Sequence, residues 1–126
     1  MFEHEPARVL VVDDEAPIRL TLEVILRRVG YTVTTAANGE EALAWLMQST
    51  FDLLLLDLGL PGISGLKVAH YAEEHYPSAV ILYLTGSSDF DRMPIEERVD
   101  HCNYILKTAS PQAVVDRVAA VLLTVQ

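Results

Sequence analysis

The chain holds a single cysteine, Cys102, in 126 residues. One thiol excludes an internal disulfide and a thiolate metal cage. Basic residues are also scarce: nine lysines and arginines stand against 18 aspartates and glutamates, for a formal charge of -9. A surface this acidic repels phosphate backbones, so direct nucleic-acid binding by this chain is not expected, although it could regulate a separate DNA-binding element. No apolar run approaches the roughly 20 residues of a membrane span, and no membrane partner is expected. Nor does a basic, apolar leader open the chain, which begins "MFEHEP"; a cytoplasmic protein is the expectation. Linkers, repeats and low-complexity stretches are missing too. What is there is 51% hydrophobic, ample for one core, and residues 1–126 read as a single domain.

Apolar patterning divides the chain into alternating strands and helices. "RVLVV" (Arg8 to Val12) is a short run rich in β-branched residues and reads as a buried strand. Ile18, Leu22, Ile25, Leu26 and Val29 then fall at helical intervals, with Gly30 as the C-terminal cap. "YTVTTA" (Tyr31 to Ala36) is strand-like. Asn38, with Glu41 three residues on, opens a helix expected to carry Ala42, Leu43, Leu46 and Met47 inward. Phe51 to Leu56 is a third strand, Ser64 to Tyr76 a third helix, "AVILYL" (Ala79 to Leu84) a fourth strand and "NYIL" (Asn103 to Leu106) a fifth. Ser110 caps a last helix, with Pro111 in its first turn and Val114, Val118, Val121 and Leu122 buried. A fourth helix belongs within Ser87 to His101, but Pro94 would kink or shorten it.

The strands are apolar throughout rather than at every second residue, which indicates a parallel sheet covered on both faces. Five β/α units in this length match a doubly wound, flavodoxin-like α/β fold with strand order 2-1-3-4-5. In such sheets the ligand site lies beyond the carboxyl ends of the strands, at the order reversal. Those ends carry Asp13, Asp14 and Glu15 after the first strand, Asp57 after the third, Thr85 after the fourth and Lys107 after the fifth. An isolated aspartate in such a place is commonly a helix cap; these positions share one sheet edge.

Strands 1 and 3 are neighbours in that order, so Asp13, Asp14 and Asp57 should converge. Three carboxylates there repel one another unless a cation lies between them. All-oxygen ligands suit magnesium, which commonly joins carboxylates to phosphate. Lys107 adds a mobile point charge for a phosphoryl oxygen and Thr85 a hydroxyl donor. Asp57 is thus placed to attack phosphorus and form an acyl phosphate. Gly59 and Gly62 are expected to let the following loop bend close to the ligand.

From "VLVVDDE" through "LLLLDLGLPGISG" and "LYLTG" to "YILK", the chain resembles the receiver domain of two-component response regulators. The resemblance covers almost the whole sequence. It implies a phosphorylation-switched signalling domain in which Asp57 accepts a phosphoryl group from a sensor histidine kinase or phosphotransfer protein. It implies that Asp14, Asp57 and the backbone carbonyl of Gly59 ligate magnesium, with Asp13 acting largely through water. Thr85 and Lys107 would hold the phosphoryl oxygens, and Tyr104 would be the aromatic switch that follows Thr85. The readout face would be the fourth helix, fifth strand and last helix, also the surface of a possible homodimer. The domain would be no enzyme beyond catalysing its own phosphotransfer and dephosphorylation. Gly59 and Ser87, both small, imply an acyl phosphate without special protection.

The sequence departs from the family on the readout side. Thr108 follows Lys107 where the family usually has proline, often after a cis bond. A non-proline cis bond costs about 2.5–4 kcal/mol, so a trans peptide is expected here. Asp100-His101 replaces the usual Gly-Ala. Two rivals stand against the phosphoacceptor. A haloacid-dehalogenase-type phosphotransferase needs a second aspartate two residues after the first, where Gly59 stands. A receiver-like interaction module that signals without phosphorylation is the alternative left open. "GLPGISG" lacks the Lys-Ser or Lys-Thr ending of a P-loop. His4, His70, His75 and His101 lack metal-ligand spacing, and Trp45 reads as packing. Kinase, stimulus and output are not encoded in readable form, and a stand-alone receiver or one excised from a larger regulator would look alike.

Overall fold

Five apolar segments pair side by side, all parallel, in the order β2-β1-β3-β4-β5. The computed structural model describes residues 6–60, 62–86, 104–107 and 109–124. The strands are β1 (Arg8–Val12), β2 (Thr32–Ala36), β3 (Leu53–Asp57), β4 (Val80–Thr85) and β5 (Tyr104–Leu106). The helices among the described residues are α1 (Ala16–Arg28), α2 (Gly39–Gln48), α3 (Gly65–His75) and α4 (Pro111–Thr124). The doubly wound order expected from the sequence is the one observed. The helix expected within Ser87–His101 falls outside the described residues, as do Pro94, Asp100 and the Lys107–Thr108 peptide.

Because side chains alternate along a strand, each strand feeds two cores. Val9, Val11, Leu53, Leu55, Leu82, Leu84 and Ile105 pack under α1 and α4, against Leu22, Leu26, Val114 and Val118. Leu10, Val12, Leu54, Leu56, Ile81 and Tyr83 pack under α2 and α3, against Ala42, Leu46, Val68 and Ala72. The four leucines of β3 are thus shared two and two between the layers, and all are buried. This explains the uninterrupted apolar run: neither face of the central strand meets water.

The helix starts follow their capping residues. Asn38 Oδ1 accepts from the Glu41 N–H at 2.8 Å, and Ser110 Oγ from the Ala113 N–H at 3.1 Å. The return bond of the Asn38–Glu41 pair goes one residue further out than in a capping box: Glu41 Oε1 accepts from the Ala37 N–H. Three apolar placements differ from expectation. Met47 is not carried inward but is 67% exposed, because Leu46 beside it takes the core-facing position. Val29 caps α1 and is exposed, and Trp45 lies at the rim with 38% of its surface in solvent rather than packed inside. Among the described residues no helix is long and apolar enough to cross a membrane.

Candidate phosphoryl and metal site

The parity that sorts the two cores also selects the site. Asp13 continues β1, its N–H bonding the Ala36 carbonyl, and falls in step with Val9 and Val11. Asp57 ends β3 in step with Leu53 and Leu55, and Lys107 follows β5 in step with Ile105. All three side chains therefore reach the sheet edge on the α1–α4 side. Asp13 and Asp57 are fully buried, whereas Asp14 is exposed. Carboxylate oxygens of Asp13, Asp14 and Asp57 all lie within 4.8 Å of one another, a spacing that could hold a metal ion.

Lys107 sits across from them. Its Nζ lies 2.8 Å from Asp57 Oδ2, 2.9 Å from Glu15 Oε2 and 3.5 Å from Asp13 Oδ2. The remaining Asp57 oxygen, Oδ1, accepts from the Gly59 N–H at 2.8 Å, and Asp13 Oδ1 accepts from the Glu15 N–H at 2.8 Å. Asp13 Oδ2 is buried without a hydrogen-bond partner. Burial pushes the Asp13 carboxyl above its ordinary range, opposed by the Glu15 N–H and reinforced by the charge of Asp57. Burial likewise pushes Asp57 up, opposed by its bonds to Lys107 and Gly59. Burial alone would lower Lys107, but its bonds to Asp57 and Glu15 outweigh that and hold the ammonium above its usual range. Both buried acids thus sit above their ordinary range even with the ammonium beside them.

Thr85 belongs to the opposite parity, in step with Ile81 and Tyr83, and is buried one residue past Leu84, the register partner of Asp57. Its hydroxyl donates to the adjacent Gly86 carbonyl at 2.7 Å rather than toward Asp57. Tyr104 pairs with Tyr83 across β4–β5, and their rings stack with centroids 5.3 Å apart. The structure therefore assembles Asp13, Asp14, Asp57 and Lys107 directly and keeps Thr85 and Tyr104 on the other face of the same edge.

The two loop glycines differ from each other. Gly62 has φ +72°, a conformation that favours glycine, but Gly59 does not share it and contributes its N–H instead. Gly65, not singled out in the sequence, is the position beside the site where bulk is excluded: a Cβ there would lie 2.5 Å from the Asp57 carbonyl oxygen, as one at Gly39 would from the Ile63 carbonyl. Two further contacts escaped sequence reasoning. Arg19 Nη1 donates to the Asp13 carbonyl at 2.7 Å, and Glu15 reaches Lys107 from 92 positions away. The only signal for Glu15 was its place in the acidic run "DDE".

The model of the response regulator receiver domain family matches residues 9–119. Transcriptional regulatory protein ResD of Bacillus subtilis is 37% identical over 123 residues, which cover 97% of this chain and 50% of ResD. Transcriptional regulatory protein SrrA of Staphylococcus aureus is 36% identical over 119 residues, covering 94% of this chain and 48% of SrrA. The chain thus spans about half the length of these curated relatives. A CheY-like receiver domain protein from Methanospirillum hungatei has a similar structure, with a TM-score of 0.82 at 28% identity, covering 95% of this chain and 96% of its own. Response regulator TrrA from Thermotoga maritima, solved in complex with Mg2+-BeF, gives 0.76 at 36% identity, covering 90% and 97%.

Proposed function

The chain belongs to the response regulator receiver domains of two-component systems, and on that premise we propose that Asp57 is its phosphoacceptor, within one receiver domain over 1–126. The observation that carries this reading is the buried Asp57 carboxylate, bonded to Lys107 at 2.8 Å and standing beside two further acids. A carboxylate oxygen of Asp57 attacks the phosphorus of a phosphohistidine on a sensor kinase or phosphotransfer protein. The O–P bond forms as the P–N bond breaks, and the imidazole leaves with the electron pair. Lys107 then meets the negative phosphoryl oxygens, and the Thr85 hydroxyl turns from Gly86 to donate to another. The domain catalyses only this transfer onto itself and the later hydrolysis.

The donor set fits a divalent cation, because the buried Asp13 Oδ2 has no hydrogen bond and only the Lys107 ammonium, 3.5 Å away and shared with two other acids, to offset its charge. Asp13, Asp14 and Asp57, with the Gly59 carbonyl, would hold magnesium, an oxygen-preferring ion that the TrrA complex also contains. Bound there, it supplies charge neutralisation for the acids and the incoming phosphoryl group.

Signalling follows as a shift between two arrangements of Thr85 and Tyr104. The phosphoryl group can bias them only through contacts that differ between the two. The β5–α4 side and the segment before it form the readout and possible self-association surface in this proposal. The curated relatives are named as transcriptional regulatory proteins and are about twice as long; direct nucleic-acid binding by this acidic chain is no part of the proposal. Incubation with acetyl phosphate and magnesium, followed by intact mass, tests the reading. The parent should gain a phosphoryl group and Asp57→Asn should not. Loss of the group over minutes to a few hours is expected, given the small Gly59 side. An unmodified parent would point instead to an interaction module that works without phosphorylation.

A further inference from the structure

The Lys107 ammonium makes two hydrogen bonds, to Asp57 and Glu15, and stands 3.5 Å from a third acid, Asp13. Two of those acids, Asp13 and Asp57, belong to the candidate ion and phosphoryl site. The third, Glu15, does not: it lies outside the acid trio, and its side chain is 54% exposed. Its Oε2 nevertheless takes the Lys107 ammonium at 2.9 Å, as short as the bond to Asp57 within 0.1 Å. Glu15 is the N-cap residue of α1, yet its side chain makes no capping bond. Its carboxylate is therefore committed to Lys107 rather than to the helix.

This geometry sets up a competition. When Asp57 becomes an acyl phosphate, new acceptors appear beside it, and the ammonium must turn toward them. The interaction most readily given up is the exposed one, since Glu15 regains water as it leaves. We propose that Glu15 restrains the phosphoacceptor site by occupying Lys107 in the resting state, so that the phosphoryl oxygens must displace it. It is a positioning residue that slows phosphorylation. The inference rests on the phosphoacceptor reading and adds a regulator of its rate.

The experiment measures the second-order rate of Asp57 modification by acetyl phosphate with magnesium in the parent, Glu15→Gln and Glu15→Asp. In each, an Asp57 oxygen bonds to phosphorus, the P–O bond to acetate breaks, and acetate leaves with the electron pair. Glu15→Gln should react roughly two- to fivefold faster, the scale set by a half-exposed ion pair. Its rate should also depend less on salt. Glu15→Asp keeps the charge but is one methylene too short to hold Nζ, and should also exceed the parent. In NMR spectra without phosphodonor, the Lys107 ammonium protons should exchange faster in both variants while circular dichroism stays that of the parent, since loss of fold would speed exchange as well. A modified parent with Glu15→Gln no faster overturns this inference alone. Glu15→Asp at the parent rate overturns it in favour of a simple charge effect. A parent that takes up no phosphoryl group overturns the phosphoacceptor reading and this inference together.

Discussion

The two faces of the sheet are packed alike and end differently. Under α1 and α4, strands that bury Val11, Leu55 and Ile105 run on into Asp13, Asp57 and Lys107. Under α2 and α3, β4 buries Ile81 and Tyr83 and ends in Thr85, with Tyr104 stacked beside Tyr83. One face delivers two buried acids and an ammonium to the sheet edge, and the other a buried hydroxyl and stacked rings. Strand alternation alone separates them. A chemical event on one face thus lies one residue from a side chain embedded in the other, which is what a switch through Thr85 requires.

If the faces are equivalent in packing, they should fail equally when hollowed. Leu54 and Leu55 are adjacent, both fully buried, and point into opposite cores. Leu54→Ala and Leu55→Ala should each lower stability by about 2–5 kcal/mol, the range for a buried leucine that leaves a cavity. Urea unfolding reads this directly. A cost below about 1 kcal/mol for either one would show that its layer collapses around the gap.

The difference between the faces should appear in the response to charge. Burial holds the Asp13 and Asp57 carboxyls above their ordinary range in the folded protein. Between the ordinary carboxylate value and that raised value, the folded state binds more protons than the unfolded chain. Stability contributed by these groups therefore falls as pH rises through the window. Asp13→Asn removes the buried charge while keeping an acceptor for the Glu15 N–H. Without divalent cations it should be about 1–3 kcal/mol more stable than the parent near pH 7, the scale of an uncompensated buried polar group. The gap should close as pH falls below the carboxylate range. Magnesium should stabilise the parent, and the variant much less; a chelator should reverse this. Thermal melts at several pH values, with and without magnesium, decide it. A parent more stable than Asp13→Asn in chelator would mean that Lys107 compensates the acids after all.

Caps offer a smaller comparison, one on each side of the sheet. Asn38 opens α2 and Ser110 opens α4, each through one side-chain bond. Asn38→Ala and Ser110→Ala should each cost about 0.5–2 kcal/mol in urea unfolding. Asn38→Ala should also leave phosphorylation by acetyl phosphate unchanged, since the Asn38 side chain bonds the Glu41 N–H and is no member of the acid cluster. A slower reaction in Asn38→Ala would show that the α2 layer supports the chemistry as well as the fold.

Most of this organisation was legible in the sequence because a parallel sheet writes itself plainly. Strands buried on both sides are continuous apolar runs, and the residues that follow them mark one edge of the sheet. That is why Asp13, Asp57 and Lys107 could be placed together from spacing. Glu15 and Lys107 could not be paired, because only the folded edge brings positions 92 apart into contact. Gly65 was missed for the same reason: its need for a missing side chain is created by the Asp57 carbonyl opposite. The Thr85 hydroxyl was assigned a ligand by residue type, and its resting bond to Gly86 depends on a rotamer that sequence does not encode.

Met47 gives the smallest and most local test. The apolar pair Leu46-Met47 fits a core-facing stripe by composition, but consecutive residues on a helix point about 100° apart and both cannot face the sheet equally. Leu46 is fully buried, and Met47 is left 67% exposed. Leu46→Ala should therefore cost about 2–5 kcal/mol. Met47→Ala should change stability by no more than about 0.5 kcal/mol, as expected of a surface position. The pair measured together in urea isolates orientation from hydrophobicity, since the two side chains are of similar size and neighbouring position. A cost above about 1.5 kcal/mol for Met47→Ala would mean that a partner surface covers α2 in solution, and the α2–α3 face would then be an interface rather than a plain outer layer.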